Sequence, residues 1–201
     1  MSRTRMVVAC TLVASLALFV GTAWGQAPPA DTLKVDYFSN ANTTGAPDGT
    51  VRITNAGTSA VGNGNLCADI FVFDANEELS ECCSCTVTPD GLLTLSVNTD
   101  LTGNPLTGAF LNTGVIKVVS ALTSGGDCPL PTKISAAAGI RTWTTHIQNA
   151  GFAITEGASQ DAAFSTAELG RLEGQCGSIK RVGSGSGVCA NSAALAAICN
   201  N

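Results

Sequence analysis

The sequence predicts a mainly β protein: an antiparallel β-sandwich, immunoglobulin-like or of a similar Greek-key kind, with a disulfide-linked C-terminal segment holding one or two short helices. Three observations carry this. Short stretches rich in β-branched and aromatic residues recur along the chain, glycine-, proline- and asparagine-rich separators divide them, and an even number of cysteines follows an export leader.

The leader comes first. In MSRTRMVVACTLVASLALFVGTAWGQ, Arg3 and Arg5 form a basic start, Met6 to Val20 is apolar, and Ala23 and Gly25 stand at −3 and −1 of a cleavage before Gln26. That is the layout of a secretory signal peptide over residues 1–25. The apolar run is shorter than the ~20 residues that cross a bilayer, and Cys10 lies inside it rather than after it, against lipoprotein processing. The expected organisation is a leader at 1–25, a β-sandwich at 26–160 and a helical, cysteine-containing segment packed on it at 161–201. The mature chain is expected to be soluble, without a membrane span, and secreted to the extracellular space or a periplasm. Losing Arg3 and Arg5 takes the formal charge from −5 to −7, and no basic run remains. This argues against nucleic acid and anionic lipid as partners.

Strands are read at 33–39 (LKVDYFS), 50–55 (TVRITN), 66–74 (LCADIFVFD), 85–88 (CTVT), 92–97 (LLTLSV), 115–122 (VIKVVSAL), 140–148 (IRTWTTHIQ) and 152–155 (FAIT). TVRITN alternates, with Val51 and Ile53 on one face and Arg52 and Thr54 on the other. ADIFVFD is apolar on both faces, as a strand in the middle of the core should be. Pro89-Asp90-Gly91 supplies the fixed φ, the capping side chain and the permissive φ of a tight turn, which predicts a hairpin between the flanking strands. The arm at 33–39 can add to its own sheet or to a neighbour's by β-augmentation. The intramolecular choice, and with it a monomer, is favoured over an oligomer linked by strand exchange.

The character changes after SGGDCPLPTK. In FSTAELGRLEGQC, Ser165 is an N-cap with Glu168 three residues on, Phe164 and Leu169 form a staple pair, and Leu169, Leu172 and Cys176 share a helical face. NSAALAAIC (191–199) reads as a last short helix capped by Asn191 or Ser192.

Eight cysteines remain after Cys10 leaves: Cys67, Cys82, Cys83, Cys85, Cys128, Cys176, Cys189 and Cys199. In an oxidising compartment this is a disulfide framework. Extended backbone at ECCSC (81–85) would send Cys83 and Cys85 to one face and Cys82 to the other. Direct bridging of Cys82 to Cys83 is strained, because Cα atoms across a trans peptide are too close. A turn centred near Asn76 sets Cys67 opposite Cys85, so these two are expected to pair. Cys176–Cys189 would close the glycine loop between them. Cys82 and Cys83 are then left for the tail, through Cys128 and Cys199.

Other chemistry fits less well. Cys67, Cys82, Cys83 and Cys85 lack the paired-knuckle spacing of a zinc site. The C-x-x-C of Cys82 and Cys85 lacks the strand-to-helix setting of a redox motif. Asp74, Asn76 and Glu78 have the 1, 3, 5 spacing of a calcium loop, but Leu79 stands where glycine is needed and Cys85 where the bidentate acid belongs. Glu77 and Glu78 read as solvated charge on a turn. His146 is the one histidine, on a strand with Trp143 on the opposite face, and GSGSG (183–187) has no nucleophile-elbow context. Sugar binding wants exposed aromatics; the mature chain has one tryptophan (Trp143), one tyrosine (Tyr37) and six phenylalanines, most of which are expected in the core, so the sequence permits a lectin-like role without supporting it.

VRITN, LCADIFVFD, ECCSC, TPDGLLTLSV, RTWTTHIQ and AELGRLEGQC followed by GSGSGVC resemble a group of uncharacterised secreted bacterial proteins. The resemblance spans most of the mature chain and implies an exported bacterial protein; it brings no site residues. The functional expectation is a structural or interaction module without catalysis, metal or cofactor, engaging an extracellular protein or a glycan. A carbohydrate- or small-ligand-binding module built on the long loop 98–114 comes second, and a hydrolase third.

Overall fold

The strand Leu66–Asp74 organises the molecule, because all of its residues but Asp74 are buried. A strand buries both faces only with a layer on each side. Ala68, Ile70 and Val72 face a second sheet, whereas Cys67, Phe71 and Phe73 face a helix. The computed structural model describes residues 28–104, 108–148, 151–182, 189 and 196–200. The leader read at 1–25 lies outside them.

In chain order the strands are β1 (Leu33–Phe38), β2 (Thr50–Asn55), β3 (Leu66–Asp74), β4 (Leu79–Val87), β5 (Leu92–Ser96), β6 (Gly103–Asn104), β7 (Ala109–Phe110), β8 (Gly114–Leu122), β9 (Ile140–Ile147), β10 (Ile154–Ala158), β11 (Gln160–Ala162) and β12 (Cys199–Asn200). The helix α1 (Thr166–Val182) lies between β11 and β12. One sheet runs β11-β1-β8-β3-β4-β12 and the other β10-β9-β2-β5, all neighbours antiparallel; β6 and β7 form a small separate ladder. The two sheets pack as the expected β-sandwich around Phe38, Ile53, Ile70, Leu95, Ile116 and Ile140. The opposite face of the larger sheet packs through Phe71 and Val119 against Phe164 and Leu172. The core therefore has three layers, and the doubly apolar β3 is in the middle one.

Each side of the sandwich is closed by the C-terminal third of the chain. On one side β10 pairs with β9, and one residue later β11 pairs with β1, so the chain changes sheets at Ser159. This makes β1 an interior strand of its own sheet, between β8 and β11. On the other side β12 adds to β4 at Ser84 and Cys85, and Cys189 and Cys199 join the inter-sheet core.

The Pro89-Asp90-Gly91 turn forms, with Asp90 at φ 59° and Gly91 N donating to Thr88 O at 2.8 Å. The predicted hairpin does not. β4 pairs with β3 and β12, while β5 pairs with β2 in the other sheet. Asn55 is the cause: its amide donates to Gly91 O, its carbonyl accepts from Asp90 N, and its side chain donates to Val87 O. The turn is thereby drawn onto the end of β2, and it becomes a corner between sheets.

Ser165 caps α1, accepting from Glu168 N at 3.1 Å. Phe164, Leu172 and Cys176 are buried together and Leu169 packs against them, as the staple and the helical stripe predict. At the end of the predicted second helix, Ala197 and Ile198 turn and Cys199 and Asn200 are strand. Residues 191–195 lie outside the described residues, as do 183–187.

Candidate functional site

The ECCSC thiols are divided by the alternation of β4. Cys82 faces the helix layer and bridges Cys176 on α1; Cys83 and Cys85 face the inter-sheet core and bridge Cys189 and Cys199. Cys67 bridges Cys128. The expected division of faces holds, but the expected pairs Cys67–Cys85 and Cys176–Cys189 do not form. The reason is a β-bulge. Phe73 opposes Leu79, but the register shifts between Val72 and Phe73, so Val72 opposes Glu81 and Cys67 opposes Thr86. Without that shift Cys67 would oppose Cys85. One residue of slip turns a side chain to the other face of a sheet, and Cys85 is left on the face away from Cys67. All three thiols of the cluster are thus spent on the C-terminal segment, leaving none of them for metal or redox chemistry in the oxidised protein.

The Cys82–Cys176 bridge holds α1 over the larger sheet, and a cleft of about 330 Å³ opens beside it. Phe73 and Val115 give it an apolar floor; Lys117 and Arg171 form its walls, and Asp74 and Glu77 stand at the β3–β4 turn. Lys117 and Arg171 lie 5.4 and 5.3 Å from the Phe73 ring centre, within cation–π range. Glu168 binds both cations, Lys117 at 2.7 Å and Arg171 through two nitrogens at 2.7 and 2.8 Å. These hydrogen bonds, Arg171 foremost, hold the Glu168 carboxyl down at about 2. The carboxylate that the capping pattern assigned to the helix end is therefore turned to the sheet.

The calcium reading meets a different geometry. Asp74 Oδ1 accepts from Asn76 N at 2.8 Å and Glu78 N at 2.9 Å, which makes it the cap of its own turn. Backbone donors fill the place where a cation would need oxygen, and no cluster of three metal-ligating side chains occurs among the described residues.

His146 belongs to a polar group between β1, β9 and the β10–β11 crossover. Its Nε2 lies 3.4 Å from Asp36 Oδ1, and its ring stacks on Tyr37 at 4.3 Å. Ser159 Oγ donates to Asp36 Oδ2 at 2.9 Å. Asp36 thus stands between the serine and the histidine. In a nucleophilic triad the histidine occupies the middle and takes the serine proton, so this arrangement positions no serine for attack.

Of the long loop 98–114, residues Val97–Leu101 form a π-helical turn and β6 and β7 a ladder; 105–107 lie outside the described residues. Leu101 and Thr102 are buried, and Asn42 Nδ2 donates to Leu111 O and Thr102 Oγ1. Leu101 and Leu111 pack on the inter-sheet core, Phe110 is exposed, and Gly114 at the end of the segment pairs with Asp74 beside the Phe73 cleft.

Trp143 is exposed, on the outer face of the smaller sheet. Arg52 stands directly across from it on β2, Ala158 across from it on β10, and Arg141 two residues before it on the same face. Arg52 pairs with Glu156 and Arg141 with Asp31, each through one nitrogen, NH1. Composition did not distinguish an exposed tryptophan from a core one. The expectation that most aromatics lie in the core fails for Trp143 and Tyr37; the signal for Trp143 was the strand alternation, in which it shares the parity of the charged Arg141, opposite to Ile140 and Thr142. No protein-family profile, curated protein or solved structure matches the chain.

Proposed function

We propose that the protein is an exported interaction module that acts outside the cell without catalysis of its own. The carrying observation is the clasp: three bridges from one strand fix the C-terminal segment, a use of cysteine that suits an oxidising compartment and a rigid display surface. Rigid surfaces bind with less ordering cost. A carbohydrate as the bound partner is favoured by Trp143 in its exposed place on the sheet, ahead of the 98–114 segment, whose Leu101 and Thr102 are buried.

The test is to present the purified mature domain to a glycan array while incubating it with generic ester, glycoside and peptide substrates. The reading expects saturable binding and no turnover. Turnover that disappears in His146→Ala would overturn it in favour of a hydrolase.

A further inference from the structure

The outer face of the smaller sheet carries a built arrangement of one ring and two guanidinium groups. Register places Arg52 directly opposite Trp143, and strand periodicity places Arg141 beside it. On the remaining side the cross-strand neighbour is Ala158, whose small side chain leaves the edge of the indole open. Trp143 is 37 % exposed, and the side chains of Arg52 and Arg141 are 40 % and 47 % exposed, so all three are reachable together. Each arginine gives only NH1 to its carboxylate partner; Nε and NH2 of both have no side-chain partner among the described residues.

Resting on the reading of the protein as an extracellular interaction module, we infer that this face binds an acidic glycan, one carrying uronate carboxylates. An indole offers a flat apolar surface with a negative face, which suits the C–H-rich face of a pyranose. Guanidinium groups bind carboxylates through paired, charge-assisted hydrogen bonds. The chain has ten lysines and arginines against fifteen acidic residues. Two of those scarce cations bracket its one tryptophan beyond the leader. Glu156 and Asp31 each take one guanidinium nitrogen, and the remaining Nε and NH2 donors are left for a sugar carboxylate, whose charge-assisted pair favours an anionic sugar over a neutral one. Thr54 and Thr94, opposite Arg141 and Arg52 respectively, extend the same face with hydroxyl groups.

Trp24 leaves with the leader, so the fluorescence of the mature protein reports Trp143 alone. The experiment titrates mature protein with trigalacturonate and, in parallel, with galactotriose. The expected result is a saturable fluorescence change with trigalacturonate, a Kd that rises with added salt, and little response to galactotriose. Arg52→Gln and Arg141→Gln should each weaken binding about tenfold, the loss of one charge-assisted contact. Trp143→Ala, followed by calorimetry, should abolish it. Unchanged circular dichroism and melting would show that these surface variants still fold. Equal binding of both sugars, or no binding of either, would overturn the inference. Neither result touches the module reading, which is decided by array binding and turnover.

Discussion

Cys82 and Cys83 are neighbours in the chain, yet their bridges leave opposite faces of β4, one into the helix layer and one into the inter-sheet core. The strand is thereby bolted to both layers that cover it. Replacing Cys82 and Cys176 by serine releases α1 while Cys83–Cys189 still tethers the tail. The bridge then constrains only the chain between Cys176 and Cys189, and loops of that size are worth about 3 kcal/mol in the chain-entropy model. Urea denaturation of the double variant should show a loss near that size with the sheet signal retained.

Asp69 is buried on β3 opposite Ser84, whose hydroxyl is its hydrogen-bond donor. Burial, with a smaller contribution from Glu173, raises its carboxyl to about 7. The folded state therefore holds a proton that the unfolded chain has released above the ordinary value of 3.8. This part of the stability falls as pH rises from about 4 to 7. Asp69→Asn removes the titrating group, and at pH 8 the variant should be more stable than the parent by roughly 2–4 kcal/mol. Melts of both proteins from pH 4 to 8 would show the two curves diverging.

Glu168 acts in the opposite sense. Its carboxyl is held at about 2 against an ordinary 4.5, so its contribution is present above 4.5 and disappears as pH falls through about 2. Glu168→Gln should cost about 1–2 kcal/mol at pH 7, since solvent screens a site at the protein surface. It should also flatten the acid limb of the stability curve. An unchanged acid limb would remove the Lys117–Glu168–Arg171 group from the account.

Two glycines give a paired test of packing. A Cβ on Gly114 would lie 2.0 Å from Phe73 O and 2.8 Å from the Phe38 ring, whereas one on Gly170 meets nothing within 4 Å. Gly114→Ala should destabilise by about 3 kcal/mol or more, because backbone cannot give way as a side chain can. Gly170→Ala, inside α1, should stabilise by about 0.5–1 kcal/mol through helix propensity. Denaturation midpoints measured under one set of conditions read both.

Strands whose sequence alternates or is rich in β-branched residues were legible from sequence: TVRITN is β2 and LCADIFVFD is β3, end to end. The start of β4 was not, since Leu-Ser-Glu-Cys-Cys has no strand composition and owes its conformation to β3 on one side and the tail on the other. β11 and β12 are two or three residues long and exist through their partners. The pairing of Cys67 was misread because a bulge leaves no local mark in Phe73 or Leu79. The Phe73 cleft joins Lys117 on β8 to Arg171 on α1, a meeting set by tertiary packing and the Cys82–Cys176 bridge.

The central claim is that one strand clasps the tail through three bridges, and disulfide mapping tests it most directly. The mature protein is digested at acid pH without reductant, and the linked peptides are fragmented in steps that separate Cys82, Cys83 and Cys85. The account predicts Cys67–Cys128, Cys82–Cys176, Cys83–Cys189 and Cys85–Cys199. A Cys67–Cys85 or Cys176–Cys189 bridge, or free thiols in the 82–85 cluster, would contradict it.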